Sequence, residues 1–268
     1  MDCCGRESLY SGTDRRRVLC SGSLDVHVWR ADLDVPQETA RTLMRVLSGE
    51  ELDRAERLVV EARRRHFIVA RAVLRIILGA YTDVRPEELR FRAGVYGKPA
   101  LESHRGREMP AFNVSHSHGL ALYAIAAPGR RVGIDVEYIR RRVNWLGIAE
   151  RQFAPGEAAF ITGVPEDDRV HAFFRIWTRK EAYLKATGKG LSVPLNHFDV
   201  SRLPGGQACF VDEGGLFKEM QGWSFQDLAP CDGYTAALAA EGKVDGLYLG
   251  EWTGEDSGLP DGSECRGD

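Results

Sequence analysis

The chain has 268 residues, 43% of them hydrophobic and 28% charged, with a formal net charge of −3. That length suits one large domain or two modest ones, and the composition is that of a soluble globular protein. The charge balance excludes whole-molecule electrostatic binding to nucleic acid or anionic membrane; a polyanion would have to meet a local cluster.

In chain order, residues 1–20 are polar, carry Arg15-Arg16-Arg17, and read as a flexible leader. Leu24 to Val28 alternates and predicts a first strand. Ser48-Gly49-Glu50-Glu51 fits a capping box, followed by one long helix or two reaching about Leu78, with Gly79 as the stop. Arg54, Arg57 and Arg63-Arg64-Arg65 make that stretch basic. A solvated amphipathic face explains this; a nucleic-acid site would want an aromatic stacking set or a recognised motif, and none accompanies it. Leu89 to Arg92 predicts a short strand, and Tyr96-Gly97-Lys98-Pro99 a loop. Leu120–Ala127 and Val132–Val136 are apolar runs joined by Pro128-Gly129, which predicts a hairpin. Glu166 to Thr187 predicts a second long helix stopped by Gly188. Strands follow near Phe198–Val200, Cys209–Val211 and Tyr234–Ala239, and the Gly- and Asp-rich end from Thr253 is expected to be disordered.

Gly119 to Ala127 echoes Gly233 to Ala240, and each closes a half that holds one long helix. Two similar halves are therefore expected, with ligand at their seam. The expected division is a leader over 1–20, an N-terminal half over 21–128, a C-terminal half over 129–250 and a tail over 251–268. The six cysteines show no CxxC spacing, which fits free thiols in a reducing cytoplasm. No charged start leads into an apolar run and no segment approaches about 18 apolar residues, so neither a signal peptide nor a membrane span is expected.

Four segments carry candidate chemistry. In Gly133-Ile134-Asp135-Val136-Glu137, period-two alternation puts Asp135 and Glu137 on one strand face and Ile134 and Val136 on the other. Two dehydrated carboxylates suit a hard cation, while a solvent-facing strand end is the plainer account. In Trp177-Thr178-Arg179-Lys180-Glu181-Ala182-Tyr183-Leu184-Lys185, residues 177, 181 and 185 stack on one helix stripe. Glu181 and Lys185 there are either a surface ion pair or a third metal carboxylate beside a phosphate-holding ammonium. Phe112-Asn113-Val114-Ser115-His116-Ser117 offers a phosphate contact or a polar turn; a Ser–His dyad is disfavoured because neighbours on an extended segment face apart. Lys98 is a fixed cation in a stiff Gly-Lys-Pro loop.

These segments, with Tyr96-Gly97-Lys98-Pro99-Ala100-Leu101, the arginine-rich helix ending Phe67-Ile68-Val69-Ala70-Arg71-Ala72-Val73-Leu74-Arg75, and Gly188-Lys189-Gly190-Leu191, resemble the Sfp-type 4'-phosphopantetheinyl transferases. The likeness runs from about residue 24 to about 240, with the motifs in the family's order. Gln152-Phe153 departs from it, standing where two aromatics are expected. The resemblance implies an α+β fold of two similar halves about a pseudo-twofold axis, acting as a cytoplasmic monomer. It implies coenzyme A and Mg²⁺ in the cleft, and transfer of the phosphopantetheine arm to a serine of an apo acyl or peptidyl carrier protein, with 3',5'-ADP released. By motif position Asp135, Glu137 and Glu181 would hold the metal, and Glu181 and Lys185 would be catalytic. Arg54, Gly97, Lys98, Asn113, Ser115, His116 and Lys185 would bind the coenzyme. Neither a membrane nor a nucleic acid is implied as a partner, and carriers of fatty acid, polyketide or nonribosomal peptide synthesis all remain open.

Overall fold

The computed structural model describes residues 23–94, 97–140, 142, 144–190, 193–201, 209–211, 217–219 and 222–254. The expected leader over 1–20 and residues 255–268 of the expected tail lie outside them, as does Tyr96.

The first half runs β1 (Val26–Asp32), α1 (Gln37–Leu43), α2 (Gly49–Glu56), α3 (Glu61–Thr82), β2 (Phe91–Ala93), β3 (Pro99–Leu101), β4 (Ala111–Ser117) and β5 (Leu120–Ala126). The second runs β6 (Val132–Tyr138), α4 (Trp145–Gln152), α5 (Pro155–Gly163), α6 (Arg169–Thr187), β7 (Phe198–Asp199), β8 (Cys209–Val211), β9 (Phe217–Glu219), β10 (Trp223–Leu228), β11 (Tyr234–Glu241) and β12 (Leu247–Glu251). One sheet has the order β12-β1-β5-β4 and another β10-β11-β6. With β12 set aside, both place a half's first strand beside its last, with the next-to-last on the far side, and both insert a long helix after the first strand. The same topology thus occurs twice, giving the two similar α+β halves; the echoing runs are the central strands β5 and β11. β12 leaves the second half and pairs in parallel with β1, and the chain stays packed past residue 250, where Trp252 is buried.

Residue parity explains the layers. Val26, Val28, Leu120, Leu122, Ala124, Val132, Ile134, Val136, Ala236 and Leu238 form one apolar layer between the sheets. The alternate residues of β1 and β5, among them Trp29, Ala31, Tyr123 and Ile125, pack with α3, and Ala237 and Ala239 of β11 pack with α6. Strands buried on both faces read as continuous apolar runs, because neither face meets water. The order across the molecule is helix, sheet, sheet, helix.

Two expectations change, and one alternative left open by the sequence is resolved. β5 and β6 do not form a hairpin: Gly129, at φ 75°, turns the chain from one sheet into the other, and β5 pairs with β1 and β4. The first long helical stretch is two helices, α2 behind a Ser48–Glu51 capping box and then α3. Gly79 does not end α3, which runs to Thr82 and stops where Asp83 turns left-handed at φ 54°. A Cβ on Gly79 would approach Val84 O to 2.9 Å, so this glycine admits the returning chain. Gly188 ends α6 as expected, at φ 70°.

Candidate active site

On β6 the parity that sends Val132, Ile134 and Val136 between the sheets turns Gly133, Asp135 and Glu137 toward α6. A Cβ on Gly133 would lie 2.0 Å from Ala182 O and 2.4 Å from Ala186 N. Only glycine permits this backbone-to-backbone approach, and it brings the Glu181–Lys185 stripe over the strand's carboxylates.

Lys185 Nζ donates to Asp135 Oδ1 at 2.6 Å and to Ser115 Oγ at 2.8 Å. The Ser115 hydroxyl donates to Asp135 Oδ1 at 2.9 Å. Asp135 Oδ2 is buried with no hydrogen-bond partner. Burial pushes the Asp135 carboxyl up to about 6, against the pull of Lys185 and Ser115, and the charge of Glu137 adds to the rise. Burial also raises the half-buried Glu181, opposed by Lys185 and reinforced by Glu137. The described ion pair of Lys185 is with Asp135, not with Glu181 as a surface pair would have it.

An uncommitted buried oxygen, with three carboxylates that feel one another, fits a hard divalent cation. Among the described residues no three carboxylates are already drawn into a closed metal cluster.

The far face of α6 is held rigidly. Arg179 donates to both oxygens of Asp227, at 2.6 and 2.5 Å, and to Val200 O at 2.8 Å. Lys180 and Glu157, both 0% exposed, pair at 2.7 Å. Glu157 also accepts from Ala154 N and Val200 N. Lys180 donates to Leu195 O and Phe198 O. Losing one partner of such a pair strands the other's charge, which costs about 3–5 kcal/mol. Sequence reading missed this pair because its members lie on different helices; the one signal was a glutamate at the third position of α5. Trp177 anchors the stripe against Phe153 and Phe173, and Phe153 stacks on Phe173 at 5.3 Å, so one aromatic at 152–153 completes this core.

Lys98, Asn113, Glu181, Lys185, Gly188 and Gly190 line a cleft of about 270 Å³. Lys98 spans the halves: its Nζ donates to Val132 O at 2.8 Å and Ala186 O at 3.1 Å. Burial, aided by Arg131, lowers this ammonium to about 8. Gly97 and Pro99 line both this cleft and a cavity of about 1270 Å³ that holds Arg54, Arg71, Arg75 and Phe67, so the two border this loop. Arg54 sits over the Phe67 ring at 5.2 Å, whereas Arg71 and Arg75 are committed to Glu51. His116 faces away from Ser115 and keeps an exposed edge; desolvation first, then Lys185, lowers its imidazole below the usual range. The structure thus gathers Lys98, Asn113, Ser115, Asp135, Glu181 and Lys185 at one seam, with Glu137 beside them, and sets Arg54 in the adjoining cavity.

Residues 131–239 match the 4'-phosphopantetheinyl transferase superfamily, and residues 28–129 match the family 4'-phosphopantetheinyl transferase, N-terminal. The 4'-phosphopantetheinyl transferase HetI of Nostoc sp. is 37% identical over 218 residues, covering 81% of this chain and 88% of that protein. The 4'-phosphopantetheinyl transferase Sfp of Bacillus subtilis is 27% identical, over 66% of this chain and 75% of its own length. The Escherichia coli transferase AcpT is 37% identical over 47% of this chain and 59% of its own length.

Proposed function

We infer that this chain, which belongs to the 4'-phosphopantetheinyl transferase superfamily, does its chemistry where β6 and α6 of the second half meet β4 and the Lys98 loop of the first. It is an enzyme that moves the 4'-phosphopantetheine arm of coenzyme A onto a carrier-protein serine. In that reaction the serine oxygen bonds to the phosphorus nearer the pantetheine, the bond from that phosphorus to the rest of the pyrophosphate breaks, and 3',5'-ADP leaves.

The observation that carries the site assignment is the buried, unpartnered Asp135 Oδ2 among three carboxylates and one ammonium. Asp135, Glu137 and Glu181 would hold Mg²⁺, which when bound supplies positive charge to the pyrophosphate. Lys185 adds a second cation and offsets the charge that gathers on the leaving phosphate. A serine hydroxyl is a weak nucleophile until a base takes its proton. Glu181, its basicity raised by burial, is the proposed base. The nucleotide end of coenzyme A is proposed to lie along the Gly97–Pro99 loop. There Lys98 and Asn113 would meet it from the small cleft, Ser115 from beside Lys185, His116 from the opposite face of β4 and Arg54 from the larger cavity, with Lys98 on the 3'-phosphate.

Lys98 makes this binding mode testable by pH. Its ammonium is charged below about 8 and neutral above. The KM for coenzyme A should rise as pH climbs through about 8, and dephospho-coenzyme A should show a weaker rise. In Lys98→Arg, whose charge does not titrate there, the profile should stay flat. A rise of equal size with both ligands would remove Lys98 from the 3'-phosphate.

Both halves needed for the seam lie in one chain, which supports a monomer. No helix among the described residues is long and apolar enough to cross a membrane, and Cys231 is a free, exposed thiol in keeping with a reducing cytoplasm. The reading is tested by incubating the protein with coenzyme A, Mg²⁺ and a panel of apo acyl and peptidyl carriers. Intact-mass spectrometry should show at least one carrier gaining the arm; coenzyme A binding with no carrier modified would leave only a docking module.

A further inference from the structure

β4 and β6 meet side by side where the two sheets join, and their contact has a regular register. Ile134 N donates to Asn113 Oδ1 at 2.8 Å, Val136 N to Ser115 Oγ at 3.2 Å and Tyr138 N to Ser117 Oγ at 3.2 Å. Both strands advance by two residues per rung, so they run parallel. β6 is paired along its other edge with β11. The outward N–H groups at 134 and 136 are buried and would otherwise be orphaned at a sheet edge, a costly state, while that at 138 lies at the exposed end of the ladder. Side chains of β4 supply the missing acceptors.

The two serine rungs do more. A hydroxyl accepts and donates at once. The Ser115 proton goes to Asp135 Oδ1 and the Ser117 proton to Glu137 Oε2, each at 2.9 Å. The rung without a carboxylate faces Gly133, where α6 comes too close for any side chain, and there the acceptor is an amide. Hydroxyls thus stand where a carboxylate must be gripped, and an amide stands where none is present.

We propose that Asn113, Ser115 and Ser117 form a side-chain ladder that fastens the two halves and aims the catalytic carboxylates, with Ser117 the positioning residue for Glu137. The proposal rests on the reading that Asp135 and Glu137 hold the metal. Ser117 makes each of its two bonds to β6 through one oxygen, so a single substitution removes the backbone rung and the carboxylate rung together.

The test compares Ser117→Thr with Ser117→Val, which match in shape and differ in the hydroxyl, and adds Ser117→Ala in case the larger side chains disturb packing. Mn²⁺ binding in the presence of coenzyme A is followed by loss of the free-ion EPR signal, alongside steady-state kinetics and thermal melts. Ser117→Val and Ser117→Ala should weaken Mn²⁺ binding and lower kcat, each by ~10-fold or more. Their KM for coenzyme A should stay within about twofold, and Ser117→Thr should restore both properties. Native Mn²⁺ affinity in a folded Ser117→Ala, whether or not its melting point falls, would reduce the ladder to a fastener and overturn the aiming role. If the unmodified enzyme itself binds no Mn²⁺, the metal reading has failed and takes the proposal with it.

Discussion

Asp135→Asn is expected to lower turnover by ~100-fold or more, while leaving the metal-free protein at least as stable as the unsubstituted one. The two halves of that expectation have one cause. Asp135 is 4% exposed and its second oxygen has no partner. Its carboxyl is raised from 3.8 to about 6, so the neutral form suits the folded protein better than the ionised one. Between those values the folded state holds a proton that the unfolded chain has lost. Stability of the metal-free protein therefore falls as pH rises through that window, and above about 6 the ionised group is a standing cost on the order of 3 kcal/mol. Asparagine keeps the shape and removes the charge. A side chain that is worth more to stability when neutral, yet is required ionised for activity, is a functional one. Turnover should also fall as pH drops through about 6, and raising Mg²⁺ should move that acid limb lower, because proton and metal compete for one carboxylate. Thermal melts in EDTA and steady-state kinetics check both halves. A variant that melts well below the native protein, with loss of activity only in proportion to unfolding, would make Asp135 structural.

Glu181→Gln is expected to lower kcat by ~100-fold or more, since it removes the proposed metal carboxylate and base together while keeping size and one oxygen. Lys185→Ala should behave differently. On the proposed reading Lys185 would hold phosphate charge in the bound state and in the transition state alike, so its loss should raise the KM for coenzyme A at least as much as it lowers kcat. It also releases Asp135 and Ser115 from their shared ammonium. Two residues one helical turn apart thus separate by kinetic signature. A surface Glu–Lys pair would give small, matching changes in stability and little in catalysis, at about 0.3–0.5 kcal/mol. Near-native turnover in Glu181→Gln would exclude it as base and ligand.

Much of this site is legible in the sequence because its geometry is periodic. The period of two in residues 133–137 separates Asp135 and Glu137 from Ile134 and Val136, and the helical period stacks Trp177, Glu181 and Lys185. What periodicity does not give is the neighbour across space. Pro128-Gly129 marks a turn from local chemistry, yet no local signal says that the chain passes there into another sheet. Gly79 has the chemistry of a helix stop, and the approach of Val84 O, not helix termination, is what requires it. Ser117 stands in an alternating Asn-x-Ser-x-Ser run that reads as a polar segment until β6 is set beside it. Glu157 and Lys180 meet only because α5 and α6 pack, and β12 joins β1 from the opposite end of the chain. Lys98 reads as a free cation in a loop, and the fold gives it two carbonyls, one from β6 and one from α6.

Carboxylates from β6 and α6 are proposed to act through a divalent cation held at the seam. The most direct measurement of this is arm transfer to an apo carrier, read as the carrier's intact mass, with the enzyme freed of metal by EDTA and then resupplied. Transfer should stop on chelation and return when Mg²⁺ is added in excess over the chelator. Undiminished transfer by the EDTA-treated enzyme would contradict the account.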